Sequence, residues 1–382
     1  MNMEELERIE LARTEKLQHQ NLKKSENKKE KLHIVYIMVW TKTCGGSKII
    51  LEYANRLSQR GHMITIVTYD QKPTWFPLND KIEFIQVDER QTLEENIPPC
   101  DVVVATSWKN IFAALKSNCA PVVFFEQGGS HIFGTETLSE RKSEIVKRRI
   151  SEPNYIYTVS SYAKECLQKY YQRDAFVILN AVDDTIFYPR ESIEGLDNIT
   201  ITTIGPEEFE FKRIDNVIRA IEELRKQYPN IQFQWISQTE PKIHSEKAIV
   251  NPPQREIGNI LRNTDIYICA SDYESFCLPA LEAMTCGAAV VATDNGGIAD
   301  FIVDKENGLV IKKNNVEDMI AKIRFLIENP EERKRLASNG LKTAQRMSWK
   351  HSVERLEKYY QEIAQYEVSN EKIRNIKLEE ER

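Results

Sequence analysis

From Leu32 onward the chain alternates short, almost wholly apolar runs with stretches whose apolar residues recur at helical spacing. His33–Val39, Met63–Thr68, Asp101–Ala105, Val122–Phe125 and Tyr155–Val159 have the length and composition of strands. Ser47–Arg60, Trp108–Lys116, Thr137–Arg149 and Ser161–Tyr171, interleaved with them, predict helices. Such alternation implies a parallel sheet with helices on both faces. A second series opens with a strand at Ile199–Ile204 and a helix at Phe211–Lys226. It includes strands ending at Tyr267–Ala270 and Ala288–Thr293 and runs to Asn307–Ile311. Helices at Val316–Glu328, Glu331–Met347 and Lys350–Tyr366 complete the chain. Asp184–Asn198, with Pro189 and Gly195, reads as the linker between the two series.

The two chain ends differ from this pattern. Met1–Lys31 mixes both charge signs, and Leu6, Ile9 and Arg13 give only a thin stripe, so a solvated or partner-docked helix is expected there. It has no aromatic anchor of the kind a membrane-inserting helix carries. The tail after about Tyr366 is similarly charged and is expected to fray. A length of 382 residues suits two or three domains, and 41% hydrophobic content supports proper cores. The net charge of −6 argues against a general nucleic-acid binder but not against an anionic small ligand, which responds to local charge. Seven cysteines are scattered without paired spacing, which reads as free thiols in a reducing cytosol and no metal site. No apolar stretch has the length of a membrane span, and the N-terminus lacks a signal-peptide core. The expected location is therefore cytoplasmic. Arg141, Lys142, Lys147, Arg148 and Arg149, set against Glu140 and Glu144, make one helix locally basic. Either it is a solvated face or it attracts anionic lipid head groups, at ~1 kcal/mol per residue, giving peripheral membrane contact.

The densest chemistry lies in Ser271–Gly297, SDYESFCLPALEAMTCGAAVVATDNGG, between two of the apolar runs. Pro279 suits the first position of a helix, where a missing N–H costs nothing. Glu282 then falls in the first turns of that helix and Glu274 in the loop that feeds it. Both carboxylates are expected to face the crevice at the carboxyl end of the sheet. A carboxylate accepts hydrogen bonds from adjacent hydroxyls such as a sugar diol offers. The N–H groups of Phe276, Cys277 and Leu278, at the helix N-terminus, favour a phosphate. Alternatively, Glu282 only complements the helix dipole, worth ~0.3–1 kcal/mol, and Glu274 is an ordinary loop charge. The pair inside one strand–loop–helix–strand unit favours the ligand.

This segment resembles the signature of the retaining family 4 glycosyltransferases: Glu274, Glu282, Ala283, Met284, Gly287, Val290, Val291, Gly296 and Gly297 match it. Gly45–Gly46, Arg60-Gly61-His62, Asn180-Ala181-Val182-Asp183 with Phe187 and Pro189, and Ser348-Trp349 extend the resemblance from about Leu32 to Tyr360. It implies an α/β chain of GT-B fold, with two Rossmann-like domains facing a central cleft and the C-terminal helix crossing back to the first. The implied division is a charged extension at 1–31, an acceptor-side domain at 32–185 plus about 348–366, a nucleotide-sugar-binding domain at 186–347, and a charged tail at 367–382.

The resemblance also implies roles. Gly45 and Gly46 would lie beside the donor diphosphate and sugar, with glycine allowing close approach and positive φ; a plain strand-to-helix turn is the alternative. Lys212 aligns with the family lysine that contacts the diphosphate. Relatives usually carry a second cation where this chain has Pro206; Arg213 either substitutes for it or is a solvent-facing charge. Glu126 would hold a sugar hydroxyl or take the acceptor's proton, or else simply pair with a lysine. His131 is a weaker candidate on the same side. His62 and Ser160–Ser161 read as structural, and Cys277 as significant for its N–H, not its sulfur. The implied activity is metal-independent, retaining transfer from a UDP-, GDP- or other nucleoside diphosphate sugar to an acceptor hydroxyl, in glycan, glycolipid or glycoprotein synthesis and without a cofactor. Glu274, Lys212 and Glu126 would be its catalytic groups. Rivals are a glycosidase using the two glutamates, a nucleotide-sugar epimerase, and a non-catalytic GT-B accessory subunit of a partner transferase. Donor base and sugar, acceptor, and homo- or hetero-oligomeric state stay open.

Overall fold

A computed structural model describes residues 3–25, 29–133, 137–190, 199–242 and 246–369. The chain divides into two units, the first comprising Met1–Val159, Ala163–Ile178 and Val353–Arg382, the second Ser160–Tyr162 and Leu179–Ser352. Residues 191–198 of the expected linker and 370–382 of the expected tail lie outside the described residues.

The first unit runs α1 (Met3–Thr14), β1 (Leu22–Lys24), β2 (His33–Ile37), α2 (Gly45–Gln59), β3 (Met63–Thr68), β4 (Glu83–Gln86), β5 (Val102–Ala105) and α3 (Ile111–Ser117). It continues through β6 (Val122–Glu126), α4 (Ser130–Phe133), α5 (Glu140–Ser151), β7 (Tyr155–Thr158), α6 (Ser161–Tyr171) and β8 (Phe176–Val177). Seven of these strands form one sheet in the order β4-β3-β2-β5-β6-β7-β8, parallel throughout. Strands covered on both faces must be apolar along their length, and β5 and β6 are buried at every position.

The second unit holds β9 (Thr200–Ile204), α7 (Ile214–Arg225), β10 (Gln232–Ser237), β11 (Ala248–Val250), α8 (Gln254–Arg262), β12 (Ile266–Cys269), α9 (Leu278–Thr285), β13 (Ala289–Thr293) and β14 (Leu309–Ile311). It closes with α10 (Val316–Glu328) and α11 (Pro330–Arg346). Its six-stranded sheet is also parallel, in the order β11-β10-β9-β12-β13-β14. Val316, Met319, Ile323 and Leu326 of α10 recur at three- and four-residue spacing and enter one core with Ile201, Ile268 and Val291.

The chain then forms α12 (Trp349–Ile363) and β15 (Tyr366–Val368). From Val353 on, these residues belong to the first unit. Tyr360 hydrogen-bonds Tyr157 hydroxyl to hydroxyl at 2.9 Å and meets the Tyr36 hydroxyl at 3.3 Å, all three buried in that unit's core. Glu357 accepts from Arg60 Nε at 2.8 Å and from His62 Nε2 at 2.8 Å, while His62 Nδ1 accepts from the Leu32 amide. His62 is thus structural. Burial pushes the Glu357 carboxyl up, but its bonds from Arg60 and His62 outweigh this and hold it below the usual glutamate value. A carboxyl depressed by folding stabilises the fold above its unfolded pKa, ~4.3, and loses that contribution as pH falls through the folded value. Glu357→Gln is therefore expected to lower stability by about 1–3 kcal/mol at pH 7. In urea unfolding the gap to the unsubstituted chain should narrow below pH ~4; an equal gap at both pH values would contradict the assignment.

Both expectations for the chain ends change. The tail does not fray at Tyr366: β15 pairs antiparallel with β1, Leu22 opposite Val368. The N-terminal helix docks on the first unit itself. Arg149 is buried, bonds Glu10 and, at 3.0 Å, Thr14 Oγ1, and lies over the Trp108 and Phe112 rings. Arg141 pairs with Glu4 at 2.9 Å and Arg148 with Glu152 at 3.4 Å. Three of the five positive charges read as a lipid-facing patch are thus taken up by carboxylates, two of which come from the extension more than 130 positions away.

Candidate active site

In the second unit, β12 ends at Cys269 and the chain loops through Ser271–Phe276 before α9. Cys277 caps that helix at φ +63, a region in which a non-glycine residue costs about 1–2 kcal/mol. Pro279 is the second residue of the helix, one place later than expected. The loop after β13 runs alongside: the Glu274 amide donates to the Asn295 carbonyl at 3.1 Å, and Glu274 and Gly296 form a parallel bridge. Gly297 lies so close that a Cβ there would sit 2.6 Å from the Glu274 carbonyl oxygen. The third segment here is the Glu210–Lys212 turn, which is 3₁₀, not the start of a long helix. Arg213, at φ +50, separates it from α7. The Asp272 amide donates to the Phe211 carbonyl at 2.8 Å, tying this turn to the Glu274 loop.

These backbone contacts bring together groups 62 positions apart. Lys212 Nζ lies 2.6 Å from Glu274 Oε1, which also accepts from Ser271 Oγ at 2.8 Å. Both side chains keep a small exposed fraction, 17% for Lys212 and 15% for Glu274. Burial draws the Lys212 ammonium down, but the Glu274 carboxylate outweighs it and holds the group above the ordinary lysine value. A pair this enclosed adds little stability of its own, because desolvation offsets attraction. Arg213, a third exposed, bonds Asp272 Oδ2 through its guanidinium at 2.7 Å. Glu282, five residues into α9, is buried. With burial as the larger cause, its charge helps push the Cys286 thiol up to about 12.

All seven cysteines are free thiols, but two of them meet. Cys277 Sγ donates to Cys269 Sγ at 3.3 Å, since one ends β12 and the other caps the helix that folds back beside it. With Glu274 they form a group whose ligand atoms lie within 4.8 Å of one another. The Lys212 ammonium, bonded to that carboxylate, already supplies positive charge there.

In the first unit, Gly45 and Gly46 begin α2, capped by Cys44, whose Sγ accepts from the Ser47 amide at 3.4 Å. Neither glycine has positive φ, so the expected left-handed freedom is not used. A Cβ on Gly46 would meet only the Gln127 side chain, at 3.6 Å. Glu126 ends β6 instead of opening the loop. It is buried and, among the described residues, pairs with no lysine: it accepts from the Gly128 amide at 2.6 Å and bonds His131 Nε2 at 2.6 Å. The two residues that the sequence presents as separate candidates are thus one hydrogen-bonded pair.

Two parallel-sheet α/β units with these strand orders are what a GT-B chain contains, and comparisons agree. The profile of glycosyl transferases group 1 matches residues 188–343. An uncharacterized glycosyltransferase of Methanocaldococcus jannaschii is 29% identical over 221 residues, which is 55% of this chain and 60% of that protein. Among solved structures, sucrose-phosphate synthase from Thermosynechococcus elongatus superposes with a TM-score of 0.71 at 15% identity, over 86% of this chain and 98% of the other. Anabaena HepE in complex with UDP-glucose superposes with a TM-score of 0.69 at 16% identity, over 87% and 98%. The chain has the GT-B fold, and the part of it that matches the group 1 glycosyltransferases lies in its second unit. None of the described helices is long and apolar enough to cross a membrane.

Proposed function

We propose that the chain is a retaining glycosyltransferase that moves a sugar from a nucleoside diphosphate sugar to an acceptor hydroxyl in glycan, glycolipid or glycoprotein synthesis. The observation that carries this reading is the pairing, at 2.6 Å, of Lys212 with Glu274, which lies in the loop that leads into the Glu282 helix. A donor diphosphate competes with Glu274 for the ammonium. Lys212 then meets the charge that grows on the departing phosphate, where a fixed cation is most effective. Glu274, released, accepts a hydroxyl of the donor sugar, and Glu282 accepts the ribose diol. The amides of Phe276, Cys277 and Leu278 face the diphosphate at the start of α9. The leaving phosphate oxygen takes the acceptor's proton on the face it departs from, which retains configuration at the anomeric carbon. With Lys212 and the helix N-terminus carrying the charge, this scheme calls for no divalent ion. Arg213, held by Asp272, orders the Lys212 turn instead of binding phosphate. The Glu126–His131 pair is assigned to the acceptor side as a positioning device.

Calorimetric titration with UDP and with GDP tests the reading. At least one nucleotide is expected to bind, and Glu282→Ala to weaken it at least ~10-fold, the loss of a hydrogen bond to a charged group. Equal affinity in the variant would remove Glu282 from the site. The accessory-subunit reading draws on the mutual satisfaction of Glu126 and His131. It predicts that the intact chain binds neither nucleotide.

A further inference from the structure

We propose that Cys269 and Cys277 form an oxidisable dithiol in the donor loop, converted by a peroxide to a disulfide that encloses Glu274 and weakens donor binding. The effect on binding rests on the donor-site reading above; the cross-link itself does not.

Neither sulfur has a part in sugar transfer, yet the two lie 3.3 Å apart, eight positions apart in sequence. Both residues are buried, at 6% and 4% exposure. The segment they bracket contains Ser271 and Glu274, and the Lys212 ammonium stands at its edge. Lys212 and Glu274 retain enough exposure to bring a reagent as small as a peroxide to that edge.

The two thiols are also unequal. The hydrogen bond from Cys277 favours the Cys269 thiolate and, with Lys212, holds its thiol below the ordinary value against burial and the nearby Glu274 carboxylate. The same bond, and burial, push Cys277 up. One sulfur is therefore suited to attack and the other to carry the proton. The Cys269 thiolate attacks one peroxide oxygen, forming an S–O bond as the O–O bond breaks and the departing hydroxide takes up a proton. The Cys277 sulfur, losing its proton, then attacks the sulfenic sulfur of Cys269. The S–S bond forms and the S–O bond breaks, releasing water. Two thiols give up two electrons, and one hydrogen peroxide becomes two waters. Drawing the sulfurs from 3.3 Å to bonding distance, about 2 Å, moves the end of β12 against the cap of α9. Glu274 and the α9 amides lie on the segment between them.

The test uses the full chain treated with hydrogen peroxide, then with dithiothreitol, followed by peptide mapping and UDP titration. A Cys269–Cys277 linked peptide is expected, together with a UDP Kd raised at least ~10-fold and restored by the dithiol. Cys269→Ser is expected to form no link and to keep the same UDP affinity with or without peroxide. Cys269→Ala serves as a second variant should a buried hydroxyl disturb folding. Oxidation of the exposed Cys119 without the linked peptide would overturn the proposal. So would a complete link that leaves the Kd unchanged. If the reduced chain binds no nucleotide, the donor-site reading fails, while the peptide map still decides whether the dithiol exists.

Discussion

Alanine in place of Lys212 is expected to lower kcat by ~10²–10³-fold, the usual loss on removing one preorganised charge stabiliser from a transition state. Because the charge on the departing phosphate grows only as the bond breaks, kcat and kcat/KM should fall together. Stability falls as well, since Glu274 Oε1 is left with Ser271 as its remaining hydrogen-bond donor among the described residues. That cost is about 1–3 kcal/mol for a partly enclosed carboxylate. The pH dependence has a definite sign. A lysine raised by folding contributes its full stabilisation below its unfolded pKa, ~10.4, and loses it as pH rises through the folded value. The stability difference between the two chains should therefore be flat from pH 6 to pH 9 as far as Lys212 is concerned. The double variant Lys212→Ala with Glu274→Gln separates the two effects, recovering most of the stability and none of the turnover. Turnover by Lys212→Ala within threefold of the unsubstituted enzyme would sink the assignment.

Gly297→Ala, in the loop after β13, is expected to disrupt the Glu274 loop that packs against it. Its new methyl would lie 2.6 Å from the Glu274 carbonyl oxygen, 2.8 Å from the Phe276 nitrogen and 2.9 Å from the Glu274 carbonyl carbon. All three are backbone atoms, so no rotamer change relieves the contact. Overpacking of this kind costs about 1–3 kcal/mol. The loop must move away from β13, and it carries Glu274 and leads directly to the α9 amides. A misplacement of about 1 Å at reacting groups is enough for a ~10²-fold loss of rate. Thermal unfolding and donor turnover check the two parts. Normal turnover in the alanine variant would show that the loop tolerates the shift and that the close approach is only a packing feature.

The strands and helices that were legible in the sequence are those whose residues announce burial by themselves. α6 and α10 match their predicted spans residue for residue, since each carries an apolar face at helical spacing. β4, β8, β10 and β11 were not foreseen. β4, β8 and β11 are sheet-edge strands of only four, two and three residues and are half-exposed, while β10 opens Gln-Phe-Gln, so none presents an apolar run of ordinary strand length. Glu274 was singled out from its place between strand and helix and Lys212 from the family resemblance, but nothing in either segment says that they touch. The Cys269–Cys277 contact had a usable signal: cysteines at the end of one apolar run and at the cap of the next helix. Strand end and helix start are neighbours in any α/β unit, and counting spacing for metal motifs overlooks this.

What the amino-acid order determined by itself is local: the alternation of buried strands and one-sided helices, and the loop chemistry of Ser271–Gly297. What only the tertiary structure decided is which charge meets which. Glu4 and Glu10 of the extension take Arg141 and Arg149, Asp272 claims Arg213, His131 claims Glu126, and Glu274 takes Lys212. A side chain's hydrophobicity and backbone preference act over a few residues and can be read along the chain. An ion pair depends on two atoms within 4 Å, and that separation is set by sheet order and loop register across the whole unit.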